Sequence, residues 1–517
     1  MQQMLRLAIL LVVPFLPLAA CCQTAAKSVP QSRSSPGRLS PAIDVAQNQG
    51  DHALLGVKLA VNPTARISQK FLLDDYVLFR KALEEGHAGL YRYTSREEMN
   101  ASFEAAKRMI DREMDALEFY RVLAPVIGKI KCGHTELILP TDQRAVLDRI
   151  PLFPGKVVVI GERLYMLRDY SPAAILTGKE ILSINGIGAS GILAKMSAVI
   201  HGDANTTTSS ARRLSDETVF AEQLHVLLGI ESPFNVQYQD GVQVKNRTLE
   251  GLEKSRIADV VKTRYPQDQT VTDNAELHFV DAGKIAVLTV RTFRDFVDKK
   301  KTIGMRQFFQ SSFQEIGRLK TQTLILDLRD NGGGNDEIGK LLATFLISKP
   351  FSYYRDLVIN SLDSNIFSPD RRIATDTFEK RSDGKYHRTN HPNLGIQRPS
   401  SPAFAGKVIT LINGGSFSTT CELLSVLRFH QRATFIGEET GGDYYGNTSG
   451  YGAAIILPHS ELKVDIPRLA YYMAVSGYPA DRGILPDIPA SYSIQELLAK
   501  KDKEMELALA LARTGLS

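Results

Sequence analysis

The sequence predicts an α/β protein whose catalytic-type core is preceded by a helical region and a small β-rich module. Three observations carry that prediction. "QTLILDL" (322–328) and "KVITLIN" (407–413) are continuous apolar runs of the kind buried on both faces of a sheet. Each is followed by a Gly-rich turn and then by apolar residues at helical spacing: Ile338, Leu341, Leu342, Phe345 and Leu346 after the first, Leu423, Leu424 and Leu427 after the second. Upstream, the pattern is helical from about Phe71 to Ile130 and changes to short β-branched runs with turn signals between 150 and 250.

The elements follow in chain order. Arg6 is the only charge before "LAILLVVPFLPLAACC", an apolar run broken by Pro14 and Pro17 and short of the roughly 20 residues that span a bilayer. Residues 1–20 therefore read as a secretory signal peptide. Leu18-Ala19-Ala20-Cys21 is similar to the lipobox of bacterial lipoproteins, which implies acylation of Cys21; plain secretion is the other reading. Residues 21–65 are rich in Ser, Pro, Gln and Ala at their start, a tether composition. Together these features place the chain in a bacterial cell envelope, lipid-anchored to its membrane.

Residues 66–148 form a helical region. Ser95 is its clearest N-cap, with Glu97 and Glu98 in the first turn, and the helix is expected to run on until Gly133 breaks it in "KCGHTELILP". Residues 149–255 form the β-rich module, with one helical stretch between Ala189 and Ile200 and an Asn-Gly hairpin in "EILSINGI". That segment is similar to the strand and turn of a PDZ domain; any small barrel with such a hairpin reads the same way. Residues 276–497 carry the α/β pattern, including "KIAVLTVRTF", "ATFIGE" and the hairpin-like pair "AAIILP" and "LKVDIP", and 498–517 read as a C-terminal helix.

Composition excludes several function classes. The formal charge of +5 on 517 residues is thinly spread, with no basic block for nucleic acid. Beyond the Cys21-Cys22 pair that follows the leader only Cys132 and Cys421 remain in the folded body, too few for a disulfide framework, and no CxxC or His-Cys cluster suggests zinc. Should the two loops that hold them meet, a disulfide across the site becomes conceivable. Neither Gly-rich turn reads GxxxxGK[ST] or GxGxxG, so neither a nucleotide nor any other cofactor is expected.

The chemistry concentrates at the two turns, Asp330-Asn331-Gly332-Gly333-Gly334-Asn335 and Asn413-Gly414-Gly415-Ser416-Phe417-Ser418. In open α/β sheets ligands collect at the carboxyl ends of strands, and glycines there let backbone N–H groups approach an anion or oxyanion. Ser418, where strand gives way to helix, is either a nucleophile or an ordinary N-cap serine. A nucleophilic serine needs a base, and among ten histidines His134 stands out by its place in an irregular segment. A lone loop histidine is otherwise most often structural.

The ordered set "CGHTEL", "LILDLRDNGGG", "GGSFSTTCELL", "IGEETGG" and "RGILPDI" resembles the C-terminal processing (tail-specific) peptidase family, on the branch of the tricorn core and the interphotoreceptor retinoid-binding repeats. The resemblance covers the chain from about Leu72 to Ser493. It implies a crotonase-like (ClpP-like) α/β core, a peptide or protein substrate and serine endopeptidase chemistry through an acyl-enzyme. By the same resemblance Ser418 is the nucleophile and His134 the base. The oxyanion hole takes the amides of Thr419 and of Gly333, with Gly332 or Gly334 as alternates. There are departures. Asp443 stands where the lysine-dependent branch has its lysine, Gly133 where the tricorn-like branch has a serine, and Cys421 where an acidic residue is usual. Asp481 lies one place from the expected glutamate and is the only local candidate to orient His134. The rival readings are an inactive relative that binds peptides or a hydrophobic ligand in the same cleft, and a scaffold acting through its PDZ-like module.

Overall fold

The computed structural model describes residues 65–266, 273–298, 300–367 and 373–514. The signal peptide, Cys21 and the tether up to Thr64 lie outside the described residues, as do the last three residues of the chain.

Three helices open the described chain: Gln69–Gly86, Arg96–Met109 and Ala116–Ile130. Ser95 caps the second as expected, its hydroxyl accepting from the Glu98 amide while Glu98 returns its carboxylate to the Ser95 amide. The stretch 95–130 is not one helix, however. Buried Ile110 ends the second helix, and Asp115 with Glu118 forms a fresh capping box for the third. Nor does Gly133 stop that third helix. Lys131 does, by adopting the left-handed conformation (φ 58°) typical of a helix terminus. The helical core is shared with the far end of the chain. Strand Glu136–Ile138 pairs antiparallel with Lys463–Ile466, and Leu457, Leu462, Val464 and Ile466 pack among the helices. The hairpin expected from "AAIILP" and "LKVDIP" is present as Ala453–Ile456 with Lys463–Ile466.

The β-rich module is an antiparallel sheet in the order Gly155–Ile160, Arg163–Asp169, Glu180–Ile184, Phe234–Asp240, Gln243–Leu249. Asn185 and Gly186 turn its short hairpin with φ of 47° and 80°, the two positive values that favour Asn-Gly. Between its strands lie three helices rather than the one expected: Ala189–Ser197, Thr208–Leu214 and Val219–Leu228. None of the three has a side-chain cap. They are held by core burial of residues such as Leu214, Phe220 and Leu224.

The main sheet runs Ile488–Pro489, Thr434–Gly437, Lys407–Ile412, Thr323–Asp327, Ile285–Val290, Ala275–Val280, all parallel except the last strand. Its apolar runs face two cores. Ala286, Leu288, Leu324, Leu326 and Val408 pack under helices Met305–Arg318, Asp336–Leu346 and Thr419–Phe429. Ile285, Ile325, Ile409 and Ile436 pack under Ala508 and Ala512 of helix Lys503–Arg513. Continuous hydrophobicity in these strands is therefore the signature of a sheet covered on both sides, as the sequence suggested. A mixed α/β fold results.

Candidate active site

Strands Thr323–Asp327 and Lys407–Ile412 lie side by side and parallel, so the two Gly-rich turns leave the sheet next to each other. They are laced together. Asn413 Oδ1 accepts from the amides of Asp330 (3.0 Å) and Gly415 (2.9 Å), and its Nδ2 donates to Asp330 Oδ1 (3.1 Å). Ser416 Oγ donates to the Leu328 carbonyl (2.8 Å), the Phe417 amide to the Asn331 carbonyl (3.0 Å), and Thr419 Oγ1 to the Gly334 carbonyl (2.9 Å). Ser416 is thus spent on the turn.

That lacing fixes Ser418 in an unusual backbone state, φ 56° and ψ −128°. A non-glycine residue there stores on the order of 1–3 kcal/mol of strain, held by the surrounding bonds. Ser418 occupies the N-cap position of helix Thr419–Phe429, yet its side chain makes no capping bond. The ordinary-cap reading therefore fails. Its Oγ instead lies 3.1 Å from His134 Nε2.

His134 arrives from the loop that Lys131 initiates. The Gly133 amide donates to Asp203 Oδ1 (2.9 Å), and the Thr135 amide to the Cys132 carbonyl (3.0 Å). The imidazole stacks on Phe417, with ring centroids 4.6 Å apart. A Cβ at Gly133 would stand 2.7 Å from the Phe417 ring, so a serine does not fit where the tricorn-like pattern has one. Burial, with Arg213 adding positive charge nearby, pushes His134 down to about 4. The imidazole is neutral at pH 7, and a hydroxyl donating to its Nε2 leaves the ring proton on Nδ1. Nδ1 is buried and without a partner among the described residues.

The remaining expected residues fall as follows. Thr419 is the first helical residue, so its amide has no intrahelical acceptor and points out of the helix start. Gly333 (φ 99°) crosses directly in front of it: a Cβ there would lie 2.7 Å from Ser418 Cβ and 3.0 Å from the Thr419 amide nitrogen. The Gly333 amide itself donates to Asn331 Oδ1 (2.9 Å), so as placed its hydrogen is engaged within the loop. Neither Gly332 nor Gly334 makes an amide hydrogen bond among the described residues. Asp481 is not brought to His134. Its left-handed backbone (φ 55°) leaves the carboxylate exposed while its carbonyl accepts from the Asn205 amide. Asp443, at the lysine position, is buried against Arg92 (3.4 Å) and accepts from the Tyr93 hydroxyl (3.0 Å). Cys132 and Cys421 are both free and buried, which removes the conceived disulfide.

One group escaped the sequence reading. Asp203 follows the helix of the β-rich module, far from every motif, and no spacing links it to His134. The fold brings its carboxylate, Cys132 Sγ and a ring nitrogen of His134 within 4.8 Å of one another. These three types can ligate a metal, but the Cys132 thiol donates to the Thr448 carbonyl and burial pushes it up to about 12. A metal-ligating cysteine must be a thiolate, so the cluster is better described as a histidine with a buried acid beside it.

Chemically, the site offers a strained serine hydroxyl, a neutral imidazole within hydrogen-bond distance and a helix N-terminus behind the hydroxyl. Residues 284–490 match the model of Peptidase family S41. Among solved structures, mature CPAF complexed with lactacystin is similar with a TM-score of 0.58 and 16% identity, over 86% of this chain and 99% of that chain. A mutant form of CPAF gives a TM-score of 0.60 at 14% identity, over 87% and 99%. Among curated protein sequences nothing matches. At such low identities the structural likeness concerns the fold, and the resemblance to a family of serine-type peptidases is carried by the matched segment, residues 284–490.

Proposed function

We propose that the protein is a serine endopeptidase in which Ser418 attacks the scissile carbonyl while His134 takes its proton. The observation that carries this reading is the 3.1 Å approach of Ser418 Oγ to His134 Nε2 from a strained backbone that no capping role explains. As the Oγ–C bond forms, the hydroxyl proton passes to Nε2, and negative charge gathers on the former carbonyl oxygen. The Thr419 amide, at the positive end of its helix, is the first donor to that oxyanion. Gly333 serves chiefly by its missing side chain, which keeps the space before Thr419 open; the second donor is Gly332 or Gly334. Collapse of the intermediate breaks the C–N bond, Nε2 protonates the leaving amine, and water then hydrolyses the acyl-enzyme by the reverse roles.

The finer architecture is part of the same proposal: a crotonase-like core over 276–497, a PDZ-like module over 149–255, and a lipid anchor on Cys21 that holds the mature chain in a bacterial cell envelope. Loss of fatty-acid incorporation in Cys21→Ala tests the anchor. For the chemistry, the mature protein is treated with a fluorophosphonate probe. Stoichiometric labelling lost in Ser418→Ala and His134→Ala supports the reading. Well-folded protein that takes no label supports the rival, an inactive relative that binds peptides in this cleft, for which the engaged Gly333 amide speaks.

A further inference from the structure

A histidine acting as base needs something to hold the proton-bearing nitrogen and to balance the imidazolium that forms. Asp481, the residue expected for that task, makes no hydrogen bond or ion pair with His134. Asp481 is exposed, and Oδ2 of the buried Asp443 is engaged by Arg92 and Tyr93.

Among the described residues, Nδ1 of His134 and Oδ2 of Asp203 are both buried without a hydrogen-bond partner. Buried groups of this kind are rare and costly, and each calls for an explanation. A carboxylate oxygen of Asp203 and a ring nitrogen of His134 lie within 4.8 Å. A separation of that order is one that a single water is able to bridge. The acid is firmly held. Its Oδ1 accepts from the Gly133 amide (2.9 Å), immediately before the histidine, and its own amide donates to the Gly441 carbonyl (2.9 Å). The next residue, Ala204, donates to the Lys131 carbonyl (3.0 Å), and the Thr206 hydroxyl donates to the Asp203 carbonyl (2.9 Å). This loop of the β-rich module is thereby fastened to both ends of the histidine loop's surroundings.

We propose that Asp203 is the positioning residue of His134, its Oδ2 accepting the Nδ1–H bond. The proposal rests on the Ser418–His134 reading above. When Ser418 Oγ bonds to the acyl carbon and its proton moves to Nε2, the Nδ1 proton stays on the ring, and the ionised Asp203 balances the imidazolium. The charged and titratable groups facing Asp203 are Arg92, Tyr93, Asp443, Cys132, Cys421 and His134. Burial, with Asp443 adding negative charge, outweighs the Gly133 amide and Arg92, and pushes Asp203 up to about 7. Ionisation of this acid would then gate the base from the neutral side of the pH scale, since His134 alone is neutral down to about 4.

The test is the rate of fluorophosphonate labelling of the mature chain against pH and probe concentration, in wild type, Asp203→Asn, Ser418→Ala and His134→Ala. Asparagine keeps an oxygen for the Gly133 amide but presents an NH₂ where Nδ1–H needs an acceptor. The expected result is a maximal labelling rate lowered about 10²- to 10⁴-fold with unchanged half-saturation, and loss of the pH limb near 7. A folded Asp203→Asn variant with wild-type rate and profile overturns the proposal and leaves the Ser–His reading intact, as does a rate loss in which the limb near 7 persists, because that is a structural effect. Labelling that survives in Ser418→Ala overturns both. Should the asparagine variant not fold, the wild-type profile decides: a rise centred near pH 7 supports Asp203, and a profile flat down to pH 5 overturns it.

Discussion

Ser418 Oγ and His134 Nε2 meet at 3.1 Å across 284 positions of sequence, one on a turn of the main sheet and the other on a loop leaving the N-terminal helices. Nothing local joins the two loops. Strand Glu136–Ile138, two residues past the histidine, pairs with Lys463–Ile466 and so anchors the histidine loop to the α/β part of the chain.

Ser418→Ala and His134→Ala are each expected to abolish fluorophosphonate labelling while leaving the melting temperature within a few degrees of wild type. Ser418→Gly should be equally inert but more stable, by about 1 kcal/mol, because glycine adopts φ 56° without the strain a side chain brings. Urea denaturation of the three variants measures this.

Gly333→Ala should be more damaging than its size suggests. The added methyl would sit 2.7 Å from Ser418 Cβ and 3.0 Å from the Thr419 amide, at a φ of 99°. The expected outcome is about a 10²-fold or greater loss in labelling rate, as for a lost oxyanion donor, with about 1–3 kcal/mol of destabilisation. Rate and denaturant midpoint, measured together, check it.

Gly133→Ser, which restores the tricorn-like pattern, should impair the site and not improve it. Its Cβ meets the Phe417 ring at 2.7 Å, and that ring carries the stacked His134. Reduced labelling in this variant, partly recovered when Phe417→Leu is added, is the expected result.

Stability should depend on pH in opposing ways at His134 and Asp203. His134 has a folded value near 4, below that of an exposed histidine. The unfolded chain therefore binds its proton first, and stability falls as pH drops from about 6.5 toward 4. Asp203 has a folded value near 7, above that of an exposed aspartate. Its contribution is complete below about 4 and is lost as pH rises through 7. Asp203→Asn should thus be more stable than wild type at pH 8, by at most about 4 kcal/mol, with the advantage shrinking toward pH 4. Denaturant titrations at pH 4, 6 and 8 measure the trend.

The sequence by itself determined the elements whose physics is local. The apolar runs 322–328 and 407–413 required a sheet covered on both faces, the Ser95–Glu98 pair required a helix start, and Asn185-Gly186 required a tight turn. Ser418 and His134 were legible because their flanking glycines and strand–helix junctions mark irregular backbone, and because the motifs occur in order. Tertiary structure decided the rest. Whether Ser418 caps its helix depended on Asn413, Asp330 and Asn331 lacing two turns into a strained geometry. That Asp203 stands beside His134 depended on a loop of the β-rich module closing over residues 131–133 through the Ala204 amide on the Lys131 carbonyl and the Gly133 amide on the Asp203 carboxylate. Hydrogen bonds between distant loops leave no periodicity, so no reading of spacing could have found that acid.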